Sequence, residues 1–178
     1  DEAQKVLDQI KSLENRGFQY DGAEASFELL VHRGEPGYHS PFELVDFMVV
    51  VEKRRRTPTA GEEAILAEAM VKVKVGHEIM HTAAEGNGPV NALDHALRKA
   101  LEEFYPNLRA MRLLDYTVRI LDESSGTGAQ TRVLITSGDE EASWGTVGVS
   151  DNIIEASWQA LVDSVEYKLR RDESQSRW

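Results

Sequence analysis

The sequence predicts an α+β fold of two βββα repeats, preceded by a small helical linker subdomain. Three observations carry that prediction. The first forty residues are helical in period, the period changes to strand-like alternation after Pro41, and one order of elements then occurs twice at a nearly constant spacing.

Val6, Leu7, Ile10 and Leu13 recur at helical spacing and Gly17 is a natural stop, which predicts a helix over residues 3–15. A second short helix is expected from Ala23 to His32, ending at Gly34. The stretch Glu35-Pro36-Gly37-Tyr38-His39-Ser40-Pro41 reads as a linker by composition. These features bound a helical subdomain at residues 1–40 and leave 41–178 for the principal domain.

Within that domain Phe47, Val49 and Val51 alternate in a run of β-branched residues. Val71, Val73 and Val75 alternate with Lys72 and Lys74, the pattern of a strand with one wet face. Residues 77–84 continue as a third strand. Gly86-Asn87-Gly88-Pro89 then opens a helix, because proline is tolerated in a first turn where its missing N–H costs nothing. Val90, Leu93, Leu97, Leu101 and Phe104 mark its buried stripe, and Pro106 follows its end.

The order then repeats. Leu113, Tyr116, Val118 and Ile120 belong to a strand, Asp122 to Gln130 to a turn-rich loop, Val133 and Ile135 to a second strand, and Trp144 to Val149 to a third. A last helix begins near Asp151-Asn152 and runs to about Arg171, with Ile154, Trp158, Leu161, Val165 and Leu169 inward. Asn152 with Glu155 three residues on suggests a capping-box variant. Ala92 and Ala156, Ala96 and Ala160, Leu97 and Leu161, and Thr82 and Thr146 all stand 64 apart. Leu44 and Leu113, Asp46 and Asp115, and Phe47 and Tyr116 stand 69 apart, so a five-residue difference in loop length reconciles the two offsets. The repeats fall at about 42–106 and 107–171.

Composition excludes several functions. The net charge of -11 repels a phosphate backbone, so nucleic acid is not an expected partner. Lys53-Arg54-Arg55-Arg56 runs into Thr57-Pro58-Thr59-Ala60-Gly61 and reads as a solvated loop. With no cysteine there is neither a disulfide scaffold nor thiol chemistry, which fits a cytoplasmic location. No apolar run approaches the roughly 20 residues that span a bilayer, so no membrane is expected. The chain opens in helix without an initiator methionine, as an excised fragment would.

His77-Glu78-Ile79-Met80-His81 matches the H-E-x-x-H zinc signature, which requires a helix to bring both imidazoles to one metal. Here it follows a strand and a turn at Gly76, and on a strand the histidines stand roughly 13 Å apart. No metal or other cofactor is expected. Serines 143, 150 and 157 lie near no histidine in sequence, and no nucleophile elbow is present, so no catalytic residue is assigned.

Gly86-Asn87-Gly88 and Ser150-Asp151-Asn152 each precede a helix, whose free N–H groups suit a carboxylate. On that physics alone, a glycine-rich turn with nothing bound is the favoured reading, because lone glycine motifs are weak signals. The segments Gly86-Asn87-Gly88-Pro89-Val90-Asn91-Ala92-Leu93, Leu114-Asp115-Tyr116 and Gly148-Val149-Ser150-Asp151-Asn152-Ile153-Ile154-Glu155-Ala156-Ser157 resemble the C-terminal regulatory domain of the α-isopropylmalate synthase and citramalate synthase family. The resemblance covers residues 42–171. Gly17-Phe18-Gln19-Tyr20 through Phe27 resembles its helical linker subdomain, and Ala83 to Val90 with Glu155 to Leu161 is more similar to the citramalate synthase branch.

The resemblance implies a homodimer and a full enzyme that condenses acetyl-CoA with a 2-oxo acid on a TIM barrel. Such a barrel takes about 250 residues and lies outside this chain. It also implies an allosteric amino-acid effector, isoleucine for citramalate synthase and leucine for isopropylmalate synthase. Carried over by motif, Gly86, Asn87, Gly88, Val90 and Asn91 form one wall of the effector site. Leu113, Tyr116 and Ile120, with Val133 beside them, form an apolar floor, and Asp151 and Ile153 close it. Plain core packing is the competing account of Leu113, Tyr116 and Ile120. A structural dimerisation module that binds no effector shares every fold expectation.

Overall fold

The computed structural model describes residues 2–53, 65–121, 126 and 128–175. The Arg54–Arg56 run, the 57–61 loop and residues 122–125 lie outside the described residues. The elements are helices α1 (Glu2–Asn15) and α2 (Glu24–Arg33), strands β1 (Glu43–Lys53), β2 (Ile65–Val75) and β3 (Glu78–Gly86), helix α3 (Pro89–Leu101), a 3₁₀ turn (Pro106–Ala110), strands β4 (Arg112–Ile120), β5 (Thr131–Gly138) and β6 (Ser143–Ser150), and helix α4 (Ile153–Gln175). The α+β class and the two βββα repeats are as expected. Contacts divide the chain into two units, one from Ser40 to Arg109, the other joining the residues up to His39 with those from Ala110 onward.

In the first unit β1, β2 and β3 form an antiparallel meander in that order. Alternation decides which face is dry. Ala67, Ala69, Val71 and Val73 of β2 are fully buried, with Phe47 and Val49 of β1 paired beside Val71 and Ala69. The helix α3 covers this face with Leu93, Leu97 and Leu101, while Ala92, Ala96 and Ala100 at every fourth position let its axis approach the small residues of β2. Thr82 Oγ1 on β3 donates to the Ala96 carbonyl at 2.9 Å. Gly76, with φ +59°, makes the hairpin between β2 and β3, a conformation that favours glycine. His77 lies in that turn and His81 on β3, so the H-E-x-x-H segment lacks the helix its zinc chemistry requires. Phe104 corrects one expectation. It lies beyond the end of α3 at Leu101 and is half-buried, because the helix stops before its last turn reaches it.

The second unit repeats the plan with β4, β5 and β6 under α4. The 64-residue offset is visible in atoms, since Thr146 Oγ1 donates to the Ala160 carbonyl at 2.8 Å as Thr82 does to that of Ala96. The 69-residue offset is visible too. The pairing shifts register between Leu44 and Asp46 on β1, and between Leu113 and Asp115 on β4.

The two sheets differ on their outer faces. On β6, Val147 and Val149 pack with Ala23 and are flanked by Phe18, Tyr20, Leu121 and Leu134, so the helical segment covers this side of the second sheet. Gly145 makes the approach possible, because a side chain there would collide with the Gly22 carbonyl. Ser26 Oγ on α2 accepts the Val147 amide of the edge strand at 3.0 Å and donates to Asp163 at 2.7 Å. Arg132 on β5 donates to the Gly17 carbonyl and to Gln19. On β1 of the first unit, by contrast, Met48 and Val50 are half-exposed.

Candidate functional site

The predicted site residues divide between the units, and each set has its own geometry. In the first unit β3 runs into the turn Gly86-Asn87-Gly88. Position 86 admits only glycine, because a Cβ there would stand 2.5 Å from the Ala92 nitrogen and 2.7 Å from Asn91 Oδ1. The chain thus lies directly against the first turn of α3. Gly88 is extended and supplies no side-chain cap, and Pro89 follows at the helix start. Gly88 thus offers the first amides of α3 no side-chain acceptor, and they carry the positive end of the helix dipole. Val90 is half-buried beside them, and the Asn87 N–H donates to Asn91 Oδ1 at 3.1 Å.

His95 extends this arrangement, and motif reasoning did not single it out. Its Nδ1 lies 3.0 Å from the Glu85 carbonyl and its Nε2 lies 3.3 Å from Asn91 Nδ2. Lys99 donates to the Ala83 carbonyl at 3.1 Å. Asn91, His95 and Lys99 stand four apart on one stripe of α3, and together they serve the open edge of β3 and the turn beyond it. The repeat offset was the available signal. His95 corresponds to Gln159, whose Oε1 accepts the Val149 amide at the matching edge of β6 at 3.0 Å.

In the second unit Tyr116 faces α4 and its hydroxyl meets Ser157 Oγ at 2.9 Å, while Ser157 donates to the Ile153 carbonyl at 2.7 Å. Tyr116 is thereby held at the first turn of α4. Leu113, half-buried, sits at the register shift of β4. Ile120 and Ile153 remain 58% and 43% exposed, an apolar surface at the end of the sheet where α4 starts. Val133 is fully buried between sheet and helix, so it shapes that surface from behind. Asp151 is exposed and accepts from Ser150 Oγ at 3.3 Å. Asn152 Oδ1 accepts the amides of Ile154 and Glu155 at 2.9 and 3.4 Å, which is the expected cap. The Glu155 side chain instead meets Gln159. The two helix starts are therefore unlike: α4 is capped by its own chain and α3 is not.

Duplicated βββα units, each with a helix start at the end of its third strand, define a two-repeat α+β module. The chain belongs to the LeuA allosteric (dimerisation) domain family, whose model matches residues 21–169. It is 57% identical over 169 residues to an (R)-citramalate synthase of Geobacter sulfurreducens, covering 95% of this chain and 31% of that protein. It is 50% identical over 174 residues to the (R)-citramalate synthase of Aquifex aeolicus, covering 98% of this chain and 32% of that protein. A 2-isopropylmalate synthase of Shewanella amazonensis is 33% identical over 106 residues, 60% of this chain and 19% of that protein. The chain thus spans about a third of the length of the citramalate synthases it matches, and that third holds the allosteric domain, not the catalytic one.

Proposed function

We propose that this is the feedback-inhibition domain of an acyltransferase that condenses acetyl-CoA with a 2-oxo acid, an (R)-citramalate synthase in the cytoplasm, and that its effector is isoleucine. The observation that carries the reading is the start of α3. Uncapped amides stand behind a turn that only glycine at position 86 permits, which suits an amino-acid carboxylate. In the other unit, Ile120 and Ile153, with Leu113 and Tyr116, offer an aliphatic surface of their own, of the kind a branched side chain suits. Asp151 or Asn91 takes the ammonium. Likeness along nearly the whole chain to citramalate synthases, against 60% of it for the isopropylmalate synthase, favours isoleucine over leucine.

The domain acts as a homodimer and passes the signal to the catalytic domain of the same polypeptide. For inhibition to follow, isoleucine must prefer the inhibited arrangement over the active one, since equal affinity shifts nothing. Thermal unfolding of this chain with each amino acid tests the choice of effector. At a hundredfold excess over Kd, isoleucine stabilises the fold by about 2.7 kcal/mol, and leucine at the same concentration stabilises it less. The reverse order favours the leucine branch, and no shift with either favours a dimerisation module without an effector.

A further inference from the structure

We propose that His95 is the positioning residue that locks the Gly86-Asn87-Gly88 turn, and that protonating it releases the turn. The Glu85 carbonyl can only accept, so the Nδ1 facing it carries the hydrogen. In a neutral ring Nε2 is then bare and accepts from Asn91 Nδ2. That contact fixes which way round the Asn91 amide lies, and so turns Oδ1 toward the Asn87 N–H. A proton on Nε2 sets two donors against each other. Asn91 relieves the conflict by rotating its amide, which brings Oδ1 to the imidazolium and Nδ2 to the Asn87 N–H. The turn then loses its acceptor.

The second repeat shows that the edge contact itself needs no titratable group. Gln159, in the matching position, serves the edge of β6 with an amide. Among the described residues, the charged and titratable side chains on the elements packed with α3 are Lys99 and the paired Asp94 and Arg98 on α3 itself, Glu78, His81 and Glu85 on β3, Glu68, Lys72 and Lys74 on β2, and Glu43, Asp46 and Glu52 on β1. The relay reaches Glu85 through its backbone carbonyl, not through its carboxylate. The consequence for binding rests on the reading of this turn as the carboxylate wall. Under it, isoleucine affinity falls roughly three- to tenfold as His95 becomes charged, the worth of one such hydrogen bond.

The test follows the Asn87 amide and the His95 ring by NMR in the ligand-free protein from pH 8 to pH 5, with isoleucine titrations at the two extremes. The wild-type Asn87 amide is expected to shift with the midpoint of the His95 ring. His95→Gln, which keeps a donor for Glu85 and an acceptor for Asn91, is expected to flatten that shift and hold affinity constant. His95→Leu is expected to show weakened binding at both pH values. An Asn87 amide that ignores the His95 titration overturns the proposal, as does His95→Leu with wild-type Asn87 exchange at pH 8. If the amide follows His95 but neither isoleucine nor leucine binds at any pH, the positioning role stands and the effector reading fails.

Discussion

Glu166 is 2% exposed on α4, a costly place for a carboxylate, and its partners show how the cost is met. Arg33 of α2 bonds it at 2.6 Å and Asp163 at 2.7 Å, and the Tyr38 hydroxyl donates to it as well. Burial pushes the Asp163 carboxyl up, against the pull of Arg33 and Ser26. Replacing Arg33 with Met leaves two buried carboxylates facing each other, and urea denaturation at pH 7 should show a loss of about 3–5 kcal/mol. Asp139 offers a prediction of known sign. Burial works to raise its carboxyl, but Lys168 and the amides of Glu141 and Ala142 outweigh that and hold it well below the usual carboxylate range. Its contribution is full above the unfolded value near 3.9, declines as pH falls below that value, and is gone only once pH has passed the lower folded value. Asp139→Asn should therefore lose about 2–3 kcal/mol at pH 7, and the gap to wild type should begin to narrow below about pH 4 and keep narrowing as the pH is lowered further. Little of this was legible in the sequence. Asn152 and Glu155 announced a cap by their spacing, whereas Arg33 and Glu166 lie 133 residues apart and no periodicity links them.

Elements were more legible than contacts, because alternation and helical period report which face is buried. The β2 pattern of Val71 and Val73 against Lys72 and Lys74 announced both the strand and its dry side. What periodicity did not announce is that a sheet has a second covered face. Val147 and Val149 alternate with residues under α4, yet both are buried, because the segment around Ala23 lies over them. Two glycines separate these packings. A side chain at Gly148 would strike the Ala156 carbonyl of α4, which is backbone and cannot swing aside. Gly148→Ala should cost about 2–3 kcal/mol of global stability. Gly145→Ala strikes the Gly22 carbonyl instead, so it should raise hydrogen exchange across residues 18–33 while α4 keeps its protection. Equal exchange in both regions would mean that the helical segment and the second sheet open together.

For the whole molecule, duplication was the most legible feature, since residues matched at offsets of 64 and 69 make matching threonine bonds and flank matching register shifts in the structure. Divergence between the copies was less so. Gly88 and Asn152 occupy corresponding helix starts, yet one leaves amides uncapped and the other closes them. A long edge strand with Val50 half-exposed is an aggregation risk unless a second copy covers it. Val50→Lys should shift sedimentation toward monomer while changing the stability of the fold itself by no more than about 0.5 kcal/mol. The central claim is that this α+β domain senses an amino acid, and calorimetric titration of the dimer with isoleucine tests it most directly. The account predicts saturable heat in wild type, weakened by Gly86→Ala. Absence of heat with both isoleucine and leucine, in a protein shown to be folded and dimeric, would contradict it.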